Sequence, residues 1–253
     1  MKQFMTQIIV FSIIGGAVWG VSRLLRCRSL DSGIARPRKS SLEALAAVAC
    51  SMLFIGLLML RQRLRHGPTP GSGPRFERLS DLIPQLVVLV VYFLPAGIFI
   101  FKAREPLRSA GITRVNLWAS LLIGAALAVL TFYFQPGGLL AELGGIELHH
   151  GIALVFYACV GFGEEFLFRG YLQNRFIAWL GKWQGWVLAS VTMALVHLPH
   201  RFLIEGQSLG DSFIASCALI PVSLLMGFIM LCVKNVVAPG MFHTFANWVN
   251  ELN

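Results

Sequence analysis

Glu164 and Glu165 stand side by side in an apolar stretch that runs from Gly151 to Leu180, and Arg169 follows four residues after Glu165. Even lenient insertion scales put an acidic side chain at the centre of a membrane helix at about 3 kcal/mol. Two acids in one apolar helix are therefore a cost that chemistry would explain. Residues four apart share a helical face, so Glu165 can pair with Arg169, while Glu164, turned by about 100°, points elsewhere. One carboxylate is then neutralised and the other stays available as a base. The competing reading, a single buried ion cluster of all three residues, accounts for Glu165 well and for Glu164 poorly.

Two further polar clusters interrupt apolar helices downstream. His197 lies two residues before Pro199 in the run Ala189–His200. Proline cannot continue the hydrogen-bond ladder, so the helix is expected to kink or end near His197. A helix broken at membrane depth normally lines a cavity, because its freed backbone groups need partners. His200 and Arg201 are expected at the rim of that cavity. His243 and Asn247, four apart, share one face of a helix opened by Pro239 and Gly240 and can project hydrogen-bonding groups into the bundle. The stretch Glu205–Asp211 reads as an interhelical loop that needs no chemistry.

The elements that must position these residues are membrane helices. The chain has 253 residues, 56% hydrophobic and only 13% charged, against about 25% charged in soluble domains. Candidate spans fall at 5–22, 41–60, 83–101, 116–134, 151–180, 186–204, 212–233 and 236–250. These runs are too long and too uniformly apolar for barrel strands. The expected fold class is therefore all-α: a polytopic transmembrane bundle of about eight helices with an intramembrane polar site. Residues 1–115 carry no diagnostic chemistry, and 116–253 form the expected catalytic core. The first 22 residues show no small-residue cleavage site before Arg23, so a retained first helix is expected rather than a cleaved signal.

The net charge of +9 sits in short loops between apolar runs. That is the pattern of a topology determinant, not of a nucleic-acid site. Loop 23–40 holds Arg23, Arg26, Arg28, Arg36, Arg38 and Lys39, and loop 102–115 holds Lys102, Arg104, Arg108 and Arg114, so both belong in the cytoplasm. Loop 135–150 has no Lys or Arg and belongs outside. Loop 61–82 conflicts with alternation, because it carries five arginines. Either an element between 41 and 101 fails to span, or the charge rule is broken once. The cysteines Cys27, Cys50, Cys159, Cys217 and Cys232 lack C-x-x-C pairing and read as small buried hydrophobes, with no disulfide framework or metal site.

Together these clusters resemble the CPBP family of glutamic intramembrane proteases, which includes the Rce1-type CAAX endopeptidases and the bacterial abortive-infection (Abi) and bacteriocin-immunity proteins. Its E-E-x-x-x-R motif stands here as Glu164-Glu165-Phe-Leu-Phe-Arg169, its F-x-x-x-H as Met193-Ala-Leu-Val-His197, and its H-x-x-x-N/D as His243-Thr-Phe-Ala-Asn247. Each motif alone is weak; the three in order, each in an apolar helix, are specific. The resemblance covers residues 151–250. Met193 departs from the family's phenylalanine and puts substrate fit, more than catalysis, in question.

The resemblance implies that Glu164 is the general base that activates water. It implies that His197 holds that water and steers its proton, that His243 and Asn247 form the oxyanion hole, and that Glu165 and Arg169 orient the site. No cofactor is implied. Zinc held by two histidines and a carboxylate is the alternative, without an H-E-x-x-H motif to support it. The function so implied is hydrolysis of a peptide bond in a membrane-associated protein or peptide. The competing functions are a non-catalytic binding or immunity protein of the same fold and a proton-coupled transporter. The transporter would call for inverted repeats that the sequence does not show. Length and motif style point to a bacterial inner membrane, and the depth of Glu164, His197 and His243 along their helices to a site nearer its cytoplasmic half; if the chain is bacterial a prenylated substrate is not expected, and the sequence does not choose the substrate.

Overall fold

Prolines and glycines set several of the helix limits. In the computed structural model, which describes residues 2–71, 74, 76–133 and 146–252, all regular structure is helical. Helix α1 spans Lys2–Leu24. Helix α2, Pro37–His66, opens on Pro37, whose missing N–H costs nothing at a first turn, and closes on Gly67 at φ +73°. Helix α3 spans Ile83–Ala103 and contains Pro95; α4 spans Leu117–Tyr133. Helix α5 runs unbroken over Leu148–Leu180. Gly181, at φ +89°, turns the chain into α6, Lys182–Leu195. Short helix α7 is Leu198–Leu203. Helices α8, Leu209–Cys217, and α9, Ile220–Val233, are separated just ahead of Pro221, and α10 spans Val237–Trp248.

The expectation of a helical membrane bundle holds. Among the described residues five stretches are long and apolar enough to cross a bilayer: Met5–Leu24, Pro37–His66, Leu79–Ala103, Leu148–Leu180 and Leu209–Val233; Leu117–Tyr133 is apolar but shorter. The chain is an integral membrane protein. The single span expected at 186–204 is two helices that part at Val196–His197, which is where Pro199 predicted a break. The span expected at 212–233 is likewise divided. Helix α10 begins at Val237, two residues ahead of Pro239, because the Asn235 side chain accepts a hydrogen bond from the Val237 N–H (3.0 Å).

Contacts sort the loops onto two ends. At one end the Arg28 N–H donates to Asn116 Oδ1 (2.9 Å), Ser41 Oγ donates to the Arg175 carbonyl (2.9 Å), and Ser40 and the Arg175 guanidinium both bind the Glu105 carboxylate. At the other end Trp248 Nε1 donates to the His150 carbonyl (2.8 Å), the Thr69 N–H donates to the Ile204 carbonyl (2.8 Å), and Phe76 packs edge-on against Phe156 with ring centroids 5.4 Å apart. Helices α2 and α3 thus both run from end to end. Arg61, Arg63, Arg65 and Arg78 lie at the end opposite 25–41 and 104–116, so both helices run the length of the bundle and basic residues stand at both of its ends; Arg75 lies outside the described residues. Of the uncharged loop expected at 135–150, only residues from 146 onward are described.

The cysteines correct one expectation. All five are free, and none is buried: Cys50 is exposed and the others are half-buried. Apolar side chains in a membrane bundle can face lipid as readily as one another, so small apolar residues need not go inside. The largest core joins Ala44, Ala47 and Val48 of α2, Tyr92, Ala96 and Ile100 of α3, and Phe166, Leu167 and Phe168 of α5.

Candidate active site

Glu164 lies at the middle of α5, and directly after it the helix changes its winding. Residues Glu165–Gln173 form a π-helix, with i→i+5 hydrogen bonds in place of i→i+4. Such segments are rare and are enriched at functional sites. The wider coil still leaves residues four apart as neighbours: Arg169 Nε stands 3.3 Å from Glu165 Oε2, with both side chains out of contact with solvent. The far side of Arg169 is held by α9, where Nη2 donates to Ser223 Oγ (3.1 Å). That hydroxyl in turn donates to the Ser190 carbonyl of α6 (2.8 Å).

The two acids diverge as their spacing predicts. Glu165 Oε1 takes a hydrogen bond from His243 Nδ1 at 3.0 Å, so Glu165 has both Arg169 and His243 as partners. Glu164 points into a different space. Its Oε2 lies 3.9 Å from His197 Nε2 and 4.0 Å from His243 Nε2, and its Oε1 lies 3.4 Å from the Tyr92 hydroxyl. Oε2 itself is buried without a hydrogen-bond partner among the described residues. Glu164 therefore stands apart from the ion pair.

His197 is aimed by the break that Pro199 causes. The last turn of α6 tightens, and the His197 N–H bonds the Ala194 carbonyl (3.3 Å) rather than that of Met193. The Met193 carbonyl is instead bonded by the imidazole of His197, through Nδ1 at 2.9 Å. A carbonyl only accepts, so Nδ1 carries the proton and a neutral His197 presents a bare Nε2 to Glu164. The side chain of His197 is 30% exposed, the most open of the three groups.

His243 reaches the same point because α10 lies close against α5. Gly161 and Gly240 remove side chains from this crossing. A Cβ on Gly161 would lie 2.6 Å from Thr244 Oγ1, and one on Gly240 would lie 2.8 Å from Phe162 Cδ1. Small residues at a membrane helix crossing permit such an approach.

Five of the six site residues expected from the sequence are thus brought together: Glu164, Glu165, Arg169, His197 and His243. Asn247 lies one turn beyond His243 on α10, half-buried. Among the described residues no hydrogen bond joins its side chain to the other five. His200 Nδ1 and Arg201 Nη1 approach Glu205 at 3.3 and 3.7 Å, which sets that trio at the rim beyond the break. Tyr92 escapes a sequence reading, because a tyrosine in the run VVLVVYFLPAG looks like ordinary apolar core. Ser190 and Ser223 escape it for the same reason. Among the described residues no group of three or more His, Cys, Asp or Glu is disposed to hold a metal ion.

A bundle of apolar helices that encloses a carboxylate, two imidazoles and a buried Glu–Arg pair at mid-depth defines an integral membrane protein with an internal acid–base centre. Residues 146–249 match the family described as type II CAAX prenyl endopeptidase, Rce1-like. The resemblance drawn from the three motifs holds for that segment, which is similar to a family of endopeptidases; residues 1–145 lie outside the match. No curated protein and no solved structure matches the chain.

Proposed function

We propose that this protein is an intramembrane endopeptidase in which Glu164 activates the hydrolytic water. The observation that carries the reading is the convergence of Glu164 Oε2 with the Nε2 atoms of His197 and His243, at 3.9 and 4.0 Å. These separations are too long for direct hydrogen bonds and suit a water placed among the three. An ionised carboxylate and two neutral imidazoles would present three acceptors, and one water has only two protons to give. The centre therefore favours one further proton, and His243 is the place for it. Its Nδ1–H bond to Glu165 supports the imidazolium, which can then donate through Nε2.

The chemistry follows from that assignment. Glu164 takes a proton from the water as oxygen attacks the scissile carbonyl. His243 donates to the developing oxyanion through Nε2, and Asn247, on the same face of α10, adds an amide donor. His197 accepts the second hydrogen of the water and keeps its oxygen aimed. The C–N bond breaks as the proton held by Glu164 passes to the leaving nitrogen. Arg169 holds Glu165 Oε2 at 3.3 Å and so leaves Oε1 turned toward His243, which keeps the imidazole oriented. The reading needs no metal, and cleavage is expected to survive prolonged dialysis against a chelator.

The substrate class is a protein or peptide held at the membrane, because the centre lies at mid-depth in an apolar bundle. The end that carries 25–41 and 104–116 is assigned to the cytoplasm on its charge, and the membrane to a bacterial inner membrane. The test compares protein termini in membranes from cells that make the native chain and cells that make Glu164→Gln at equal abundance. A terminus present only with the native chain supports the assignment and identifies a substrate. Identical termini with both proteins folded would refute it and favour a non-catalytic binding role.

A further inference from the structure

We infer that Tyr92, from the part of the chain outside the family match, is a positioning residue that holds Glu164 in its reactive orientation. The inference rests on the reading of Glu164 as the base. Tyr92 lies on α3, and its hydroxyl is 3.4 Å from Glu164 Oε1. The phenol is the donor in this contact, since an ionised carboxylate only accepts. With Oε1 engaged, the plane of the carboxyl group is set and Oε2 is left facing the two imidazoles at 3.9 and 4.0 Å.

Three features of the surroundings fix the tyrosine. Its ring is buried, at 7% exposure, in the core shared by α2, α3 and α5. The residue before Glu164 is a glycine, and a Cβ there would lie 2.9 Å from Tyr92 Cδ2 and 3.0 Å from Leu89 Cδ1. Gly163 thus lets the ring lie directly against the α5 backbone at the level of the base. Pro95 supplies the third. It has no N–H, so the Val91 carbonyl loses its usual helical partner. Ser51 of α2 takes that partner's place, donating Oγ–H to the Val91 carbonyl at 2.7 Å. The peptide that leads into Tyr92 is therefore tied to α2 at the point where α3 would otherwise be weakest. The chain of contacts runs from Ser51 through Val91 and Tyr92 to Glu164. None of its first three members belongs to a motif.

Tyr92→Phe removes the hydroxyl and keeps the ring. At 3.4 Å the contact is longer than an ideal O–H···O bond, so its loss should lower kcat by about 3- to 10-fold. Because Tyr92 touches the base and not the substrate, KM should stay within about twofold. The assay uses the full chain in lipid nanodiscs and a peptide spanning the cleavage site mapped from the new termini. A second measurement does not depend on cleavage. Dicyclohexylcarbodiimide modifies protonated carboxyl groups in apolar surroundings, and mass spectrometry resolves Glu164 from Glu165. Without its donor, Glu164 should react at least about threefold faster in Tyr92→Phe, with Glu165 unchanged.

Tyr92→Leu, which also loses the ring, serves as the packing control and should lower the melting midpoint where Tyr92→Phe does not. Native kcat and native labelling in Tyr92→Phe would overturn the inference. So would a loss of activity that tracks a lowered midpoint with unchanged labelling. If the native chain cleaves nothing while Tyr92→Phe still accelerates labelling at Glu164, the hydrogen bond stands and the peptidase reading falls.

Discussion

Gly161→Ala tests whether the site depends on the close crossing of α5 and α10. The added methyl carbon would lie 2.6 Å from Thr244 Oγ1, 2.9 Å from the Thr244 nitrogen and 3.0 Å from the Gly240 carbonyl oxygen. Two of those three atoms are backbone, so rotating a side chain cannot make the room. Restoring ordinary contact distances requires the helices to part by about 0.5 Å. His243 precedes Thr244 and moves with it. The His243–Glu165 hydrogen bond, 3.0 Å long, would stretch toward about 3.5 Å, where most of its strength is gone.

Overpacking of this kind costs about 1–3 kcal/mol. A misplacement of about 1 Å can cost about 100-fold in rate, so half that displacement should lower kcat by about 10-fold. The assay is cleavage of the mapped substrate by protein in nanodiscs, beside a thermal midpoint. Gly56→Ala is the control, since a Cβ there meets nothing within 4 Å. Unchanged kcat and an unchanged midpoint in Gly161→Ala would refute the idea that this crossing sets the position of His243.

Three other outcomes are expected. Glu165→Gln keeps the size of the side chain but removes the charge that orients His243; cleavage should fall by about 10- to 100-fold, and a variant with native kcat would remove Glu165 from the mechanism. Arg169→Met leaves the Glu165 carboxylate buried without its cation, and unfolding measured in mixed micelles should show a loss of about 3–5 kcal/mol; a loss under 1 kcal/mol would mean that Glu165 is not held as an ion pair. The native cysteines report topology. Cys27, in the loop after α1, should react with a charged maleimide only in inverted vesicles, and Cys50, exposed midway along α2, only with a membrane-soluble one. Burial holds the Cys27 thiol above its ordinary value, so its thiolate fraction and labelling rate should rise as pH increases through the alkaline range. Labelling of Cys27 in right-side-out vesicles would reverse the assigned orientation.

Much of this protein is legible from one dimension. Hydropathy alone separates membrane helices from loops, because the bilayer tests each segment of about 20 residues almost independently of its neighbours. Local covalent rules place the break at His197, since Pro199 lacks the N–H that would continue the ladder whatever surrounds it. The i,i+4 spacing pairs Glu165 with Arg169 and frees Glu164, and the three motifs point to the family whose model residues 146–249 match. These features are local in sequence, or act by counting residue types.

Where each freed group finds its partner is a different matter. No spacing rule relates Tyr92 to Glu164, 72 residues apart, or Ser223 to Arg169, 54 residues apart. No periodicity announces that α5 winds as a π-helix from Glu165 to Gln173. Charge alone does not order the two ends: the packing of α2 and α3 puts Arg61, Arg63, Arg65 and Arg78 opposite the arginines of 25–41 and 104–116. Composition likewise sent the cysteines inward, although a small apolar side chain meets lipid and protein on nearly equal terms. In each case the deciding quantity is the packing of helices distant in sequence. Sequence supplied the acids, the histidines and the breaks, and the close crossings of α3, α5 and α10 at glycines brought one carboxylate oxygen to face two imidazoles.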